Sequence, residues 1–248
     1  MDQQGGKLVG TGAVGSGAQG SSVALSADGN TAIVGGANAG AAWIWTRSGG
    51  VWTQQGEKLV GAGAAGSTFQ GYSVALSADG NTALVGGFLD NNQTGAVWVW
   101  TRSGNAWSQQ AGPLVGTGTV LQPFIANAVS LSGDGNTAVS GDYQDNSYEG
   151  AIWVWTRSGT TWSQLGGKLV GTGGVLNVYT SLSQGYSVAI SADPGTIVEG
   201  AIGDNDVVGA AWVFVNQAAL PGTPAPPTIL LTLIGLAAMA LFFRSISL

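Results

Sequence analysis

The sequence predicts an all-β protein: a four-bladed β-propeller of four-stranded antiparallel blades, with an N-terminal strand completing the fourth blade and an apolar C-terminal helix after it. Three observations carry this expectation. One hairpin pattern returns four times, a second hairpin follows it three times, and the chain opens with the piece that the fourth repeat lacks. The expected divisions are residues 1–217 for the propeller, 218–227 for a Pro-rich linker and 228–248 for a hydrophobic helix or tail.

The first hairpin reads SVALSADGNTAIVGG at 22–36, SVALSADGNTALVGG at 73–87, AVSLSGDGNTAVSGD at 128–142 and SVAISADPGTIVEGA at 187–201. Apolar residues alternate on either side of a polar turn, and Gly and Asn tolerate the positive φ that such turns need. The second hairpin reads AAWIWTRSGGVWTQQ at 41–55, AVWVWTRSGNAWSQQ at 96–110 and AIWVWTRSGTTWSQL at 151–165. Its turn is Arg-Ser-Gly, and aromatic and β-branched residues fill its strands. Two such hairpins make four antiparallel strands, the size of one propeller blade.

The opening string MDQQGGKLVG returns at 52–61, 107–116 and 162–171, where each copy closes a repeat. The fourth repeat runs to GAAWVFVNQ at 209–217 without its Trp-x-Gln-Gln strand. Gln3, Gln4, Lys7, Leu8 and Val9 are therefore expected to supply that strand and so remove two open sheet edges. Exchange within one chain closes a ring, whereas exchange between chains builds a head-to-tail filament.

Spacing separates the rigid from the variable parts. Each first hairpin spans a step of 14 residues, and the step from the glycine opening the second hairpin to the glycine after Leu-Val is always 21. Only two connections change length: 4, 8, 8 and 8 residues between hairpins, and 12, 12 and 16 between repeats. In an up-and-down blade both connections lie on the same face, so that face is either a drifting solvated surface or a binding face.

The stretches QGYSVALSADGNTALVGG at 70–87 and QGYSVAISADPGTIVEGA at 184–201, each followed by an aromatic strand, resemble the FG-GAP type of β-propeller repeat. That family includes the integrin α-chain propeller and many bacterial surface proteins. The resemblance covers about residues 1–217 and is nearest to the bacterial subgroup with Thr-Arg-Ser-Gly turns. The integrin propeller has seven blades whereas this chain encodes four, so ring size is not carried over.

Integrin-like repeats hold calcium in Asp- and Asn-rich loops. The residues that would correspond are Asp90, Asn92, Asp142, Asp145, Asp204 and Asp206. Their spacing departs from the family's Asp-x-Asp-x-Asp-Gly, and a calcium loop needs oxygen ligands at alternating positions, so solvated polar loops and no cofactor are expected. Trp43, Trp45, Trp98, Trp100, Trp153 and Trp155, with Trp52, Trp107 and Trp162 on the next strand, are expected to pack between blades, the alternative being exposed rings that stack on sugars. Arg47, Arg102 and Arg157 recur in one turn and read as structural. Glu149, Glu199, Asp142 and Asp204 lie on or near the variable face, with nothing in their spacing to mark a catalytic pair.

Composition removes several chemistries. The 248 residues contain 43 glycines and 10 tryptophans but no histidine and no cysteine, which excludes an imidazole base, a thiol nucleophile and a thiolate metal site. A net charge of −6 repels phosphate backbones, so nucleic acid is not an expected partner.

After Gln217 come LPGTPAPP and TILLTLIGLAAMALFFRSISL. The apolar run 228–243 would make a helix of about 24 Å, just short of a usual membrane span. Ile229, Leu230, Leu233, Leu236, Leu241, Phe242 and Phe243 would form its anchoring or assembly surface. The tail resembles the C-terminal sorting tails of bacterial surface proteins, which implies an extracellular or cell-surface location, although no signal-peptide pattern stands at the N-terminus. The expectation is a non-enzymatic structural or adhesive propeller that associates with itself, contacting a membrane through its tail. The alternative is a glycan-binding propeller that uses the variable-loop face.

Overall fold

A computed structural model describes residues 1–216 apart from 14, 67, 121–123 and 176–180. The linker and tail, including Ile229, Leu230, Leu233, Leu236, Leu241, Phe242 and Phe243, lie outside the described residues. Met1–Asn216 forms one compact unit. Among the described residues no helix is long and apolar enough to cross a membrane.

The protein is all-β and propeller-like. Blade 1 comprises β1 (Gln19–Leu25), β2 (Thr31–Gly36), β3 (Ala41–Ser48) and β4 (Val51–Gln54), paired in that order. Blade 2 is β5 (Ser73–Leu76), β6 (Thr82–Gly87), β7 (Ala96–Ser103) and β8 (Ala106–Leu114). Blade 3 is β9 (Ala128–Leu131), β10 (Thr137–Asp142), β11 (Ala151–Ser158) and β12 (Thr161–Gln164). Blade 4 has β13 (Ser187–Ile190), β14 (Thr196–Ala201) and β15 (Ala210–Val215). The connections between second and third strands carry a 3-10 turn at Ala37–Ala39 and three short helical turns, α1 (Asp90–Gln93), α2 (Asp145–Tyr148) and α3 (Asp204–Val207).

The first hairpin is held by its own side chains. In blade 1 the Ser26 hydroxyl donates to Asp28 at 2.5 Å and accepts the Thr31 amide at 2.9 Å, while Asp28 also accepts the Asn30 amide. These donors hold the Asp28 carboxyl down at about 2. Ser77 and Asp79, and Ser132 and Asp134, repeat the arrangement. Gly29, Gly80 and Gly135 take φ of 67°, 68° and 70°, a region open to glycine without steric cost.

The blades join in series. The Ala27 amide donates to Ala78, Ala78 to Gly133 and Gly133 to Ala192, each across one blade boundary. Apolar side chains fill the gaps: Ile33 and Ile44 of blade 1 pack with Val74, Val85 and Trp98 of blade 2. Leu84, Val97 and Val99 of blade 2 pack with Leu131, Trp153 and Trp155 of blade 3. Val139, Ile152 and Val154 of blade 3 pack with Val188, Ile197 and Phe214 of blade 4. Trp43, Trp98 and Trp153 are fully buried and Trp45, Trp100, Trp155 and Trp162 nearly so, which places the Trp-x-Trp strands in the core, while Trp52 and Trp107 are half-buried against it.

The expected ring closure requires correction. Among the described residues the fourth sheet has three strands, and Gln3, Gln4, Lys7, Leu8 and Val9 belong to no strand. Among the described residues, β15 pairs with β14 alone. The opening segment instead lies against blade 1, where Gln4 accepts a hydrogen bond from Arg47 and Gly10 sits on Trp43. Blade-to-blade packing sets how far the sheets turn around the axis. Inner strands β1, β5, β9 and β13 adjoin in sequence, but the hydrogen-bonded series ends at blade 4.

Candidate functional site

All connections of variable length lie at the same end of the blades, opposite the hairpin turns. On this face the residues considered for calcium have another use. Asp90 accepts the Ala65 amide at 2.7 Å, Asp145 the Val120 amide at 2.7 Å and Asp204 the Val175 amide at 2.6 Å. Each carboxylate thereby ties the loop inside a blade to the connection entering it. Asp145 also pairs with Lys168. Asp142 is fully buried and accepts the Gln144 amide at 2.9 Å, and burial, with nearby Asp145 adding to it, pushes its carboxyl up to about 6. Asn92 lies within α1, and Asp206 is exposed in α3 with a φ of 59°. Among the described residues, no three acidic groups converge to hold a metal ion.

The remaining carboxylates stay apart. Glu149 accepts a hydrogen bond from Asn146 on the exposed α2 turn. Glu199 points into the packed boundary between blades 3 and 4, where it is 1% exposed and burial pushes it up to about 7. It takes the repeat position of Val34, Val85 and Ser140.

The recurring arginines and glutamines form the joints between blades. Arg102 lies over Trp107 and donates to Asn81, and its guanidinium reaches Gln55 of blade 1, which also accepts the Trp107 indole N–H at 2.9 Å. Arg157, Trp162 and Gln110 repeat this one blade further on. The other glutamine of the pair turns back: Gln54, Gln109 and Gln164 accept the amides of Thr11, Ala62 and Thr117.

A second clamp, which the repeat pattern does not single out, holds the Leu-Val-Gly glycine. Buried Gln70 bonds both the amide and the carbonyl of Gly61, and Gln184 does the same to Gly171. The signal in the sequence is a glutamine 9 or 13 residues beyond the Leu-Val-Gly glycine.

The variable-loop face also carries an aromatic cluster whose members come from adjoining blades, so that no single repeat shows it. Phe88 stacks on Phe124 at 5.6 Å and meets Tyr72 at 4.4 Å, and Tyr143 meets Tyr186 edge-on at 5.6 Å. Beside it a cavity of about 430 Å³ opens among the first residues of the inner strands.

These sheets define a propeller-like all-β protein. The chain is similar to hydrazine synthase from Kuenenia stuttgartiensis, with a TM-score of 0.52 at 14% identity over 86% of this chain and 51% of that one. It is also similar to a functionally unknown protein from Desulfotomaculum acetoxidans, with a TM-score of 0.50 at 12% identity over 78% and 53% of the two chains. The chain thus spans about half the length of these structures, and at such identities the likeness is one of fold. No protein-family model and no curated protein matches the sequence.

Proposed function

We propose that the chain is a non-enzymatic structural or adhesive propeller of an extracellular or bacterial cell surface, of FG-GAP type, which associates end to end with copies of itself. The observation behind this reading is the complementarity of its two end faces. Val198, Ala211 and Val213 on blade 4 match, position by position, the side chains that blades 1 to 3 bury against the following blade, yet Val198 and Val213 are 39% and 61% exposed. Val23 and Leu25 on blade 1 match Val74 and Leu76, which are buried against the preceding blade, yet they are 66% and 59% exposed. Each end therefore presents one half of an interface that the same fold makes three times internally, and such heterologous contact generates a ring or a filament.

The opening segment supports the same reading. Gln4 meets Arg47 as Gln55 meets Arg102, and Gly10 meets Trp43 as Gly61 meets Trp98. Residues 1–10 thus hold the pose of a preceding blade's outer strand, while among the described residues β15 is paired on one side only. In the proposal, residues 3–9 of one copy complete the fourth sheet of the next, and the tail residues Ile229 to Phe243 anchor or brace the assembly.

Mass photometry and electron microscopy of the full chain, beside chains lacking residues 1–10 or carrying Val213→Asp, test this. The expected result is rings or filaments of several copies that both changes dissolve into folded single chains. A full chain that stays monomeric as concentration rises overturns the proposal.

A further inference from the structure

The cavity on the variable-loop face has a lining that the repeat does not require. Ser21, Tyr72, Asn127 and Tyr186 occupy one and the same repeat position in blades 1, 2, 3 and 4, immediately before or at the start of each inner strand. Neighbouring positions are nearly identical from blade to blade, so this position is singled out by differing. All four residues line the same space of about 430 Å³, a volume in the ordinary range for small-molecule sites. Tyr143 joins them from the loop after β10.

The chemistry of the lining is specific. It holds three phenols, the serines at 21, 22 and 73, one amide and short apolar side chains, and no charged group. Tyr72 and Tyr186 are 43% and 46% exposed, although tyrosine rings on a surface cost apolar hydration that burial would remove. Edge-on contact with Tyr143 holds Tyr186 in place, and Phe88 holds Tyr72 at 4.4 Å. Burial, and then the nearby Tyr143 and Tyr186, raise the Tyr72 phenol above its usual range, consistent with three hydroxyls sharing a partly dry space. Asn127 gives its N–H groups to the carbonyls of Gly185 and Tyr186, and its Oδ1 is buried, so this side chain braces the blade 4 side of the cavity.

A ligand matched to this lining is neutral, presents many hydroxyls, and has flat apolar C–H faces. Fixed phenol rings stack on such faces, while the phenol hydroxyls and the Ser22 hydroxyl, which accepts the Val74 amide and keeps its own proton to give, exchange hydrogen bonds with the hydroxyls. A phosphate or carboxylate finds no cation here, and a purely apolar ligand leaves the polar groups unpaired. We propose that this cavity is a binding site for a neutral saccharide of one or two rings, with Tyr72, Tyr143 and Tyr186 as stacking and hydrogen-bonding residues. The recurring tryptophans take no part, because none of them lines the cavity. The site lies within one chain and does not depend on end-to-end association.

Saturation-transfer NMR and calorimetry on the full chain test it with neutral hexoses and hexose disaccharides at roughly millimolar concentration, and with an acidic sugar as comparison. The expected outcome is binding of at least one neutral sugar, weakened tenfold or more by Tyr186→Ala and abolished by Ser21→Trp, which fills the space. Val51→Ser, on an exposed strand outside the cavity, leaves binding unchanged, and near-ultraviolet circular dichroism verifies the fold of every variant. Binding of no neutral sugar overturns the proposal, as does binding of the acidic sugar alone or binding indifferent to both folded cavity variants.

Discussion

At the scale of the residue, the most consequential side chains are two buried acids. Glu199 has neither carboxylate oxygen partnered among the described residues. A carboxyl whose folded value is raised binds its proton more tightly folded than unfolded, so its ionisation opposes folding. Below about 4.5 both states are protonated and nothing is lost; between there and about 7 stability falls, and above that the full cost of a buried charge applies. Asp142 adds a fall between 3.8 and about 6. Chemical denaturation at several pH values should therefore show stability declining from pH 4.5 to pH 7, and Glu199→Gln should flatten that decline; an equal slope in wild type and variant would remove Glu199 as its source. The sequence marks Glu199 only as a departure from Val34 and Val85, and its burial follows from the partner blade, which no local pattern reports. Tyr72 and Tyr186 were legible as part of Gly-Tyr-Ser, but the contact of Tyr186 with Tyr143 across blades and the gathering of all three around one cavity were not.

At the scale of the element, the strands were readable because alternation and turn chemistry are local properties. The Ser-Ala-Asp-Gly-Asn turn carries its own hydrogen bonds, and both hairpins fall where the period-two pattern places them. The reason for Trp-x-Gln-Gln was hidden, since its two glutamines serve different partners on adjoining blades. Their changes do correlate in the sequence: Leu165 replaces the second glutamine in the repeat just before the one where Asn216 stands at the arginine position. Gln110→Leu leaves the Trp162 indole N–H and the Arg157 guanidinium short of an acceptor, so it should lower stability by about 1–2 kcal/mol in calorimetry. Gly116→Ala should do more, by about 2 kcal/mol or above, because a Cβ there would lie inside the Trp153 indole. A neutral effect of Gly116→Ala would mean that the joint is looser than its geometry implies.

At the scale of the whole molecule, the repeat count and the missing strand were legible, but closure was not. Matching strings identify which strand the fourth blade lacks; they do not say how far three blade boundaries turn the chain, and that angle decides whether the ends meet. Stability in such an array comes from nearest neighbours, and among the described residues blade 4 has one neighbouring blade and three strands. In a dilute sample, amides of β13 to β15 should exchange hydrogen faster than those of β5 to β12, with mass spectrometry of the peptides as the measure. Equal protection in all four blades would show that the ends are covered. The glycine beneath each indole bears on the history of such a chain. Because Gly10, Gly61, Gly116 and Gly171 each hand the seat for a tryptophan to the blade that follows, every repeat contains the socket for its successor. A gene duplication that copies one whole repeat therefore adds a blade with both joints already fitted, and the array lengthens by inheritance without a new interface having to evolve.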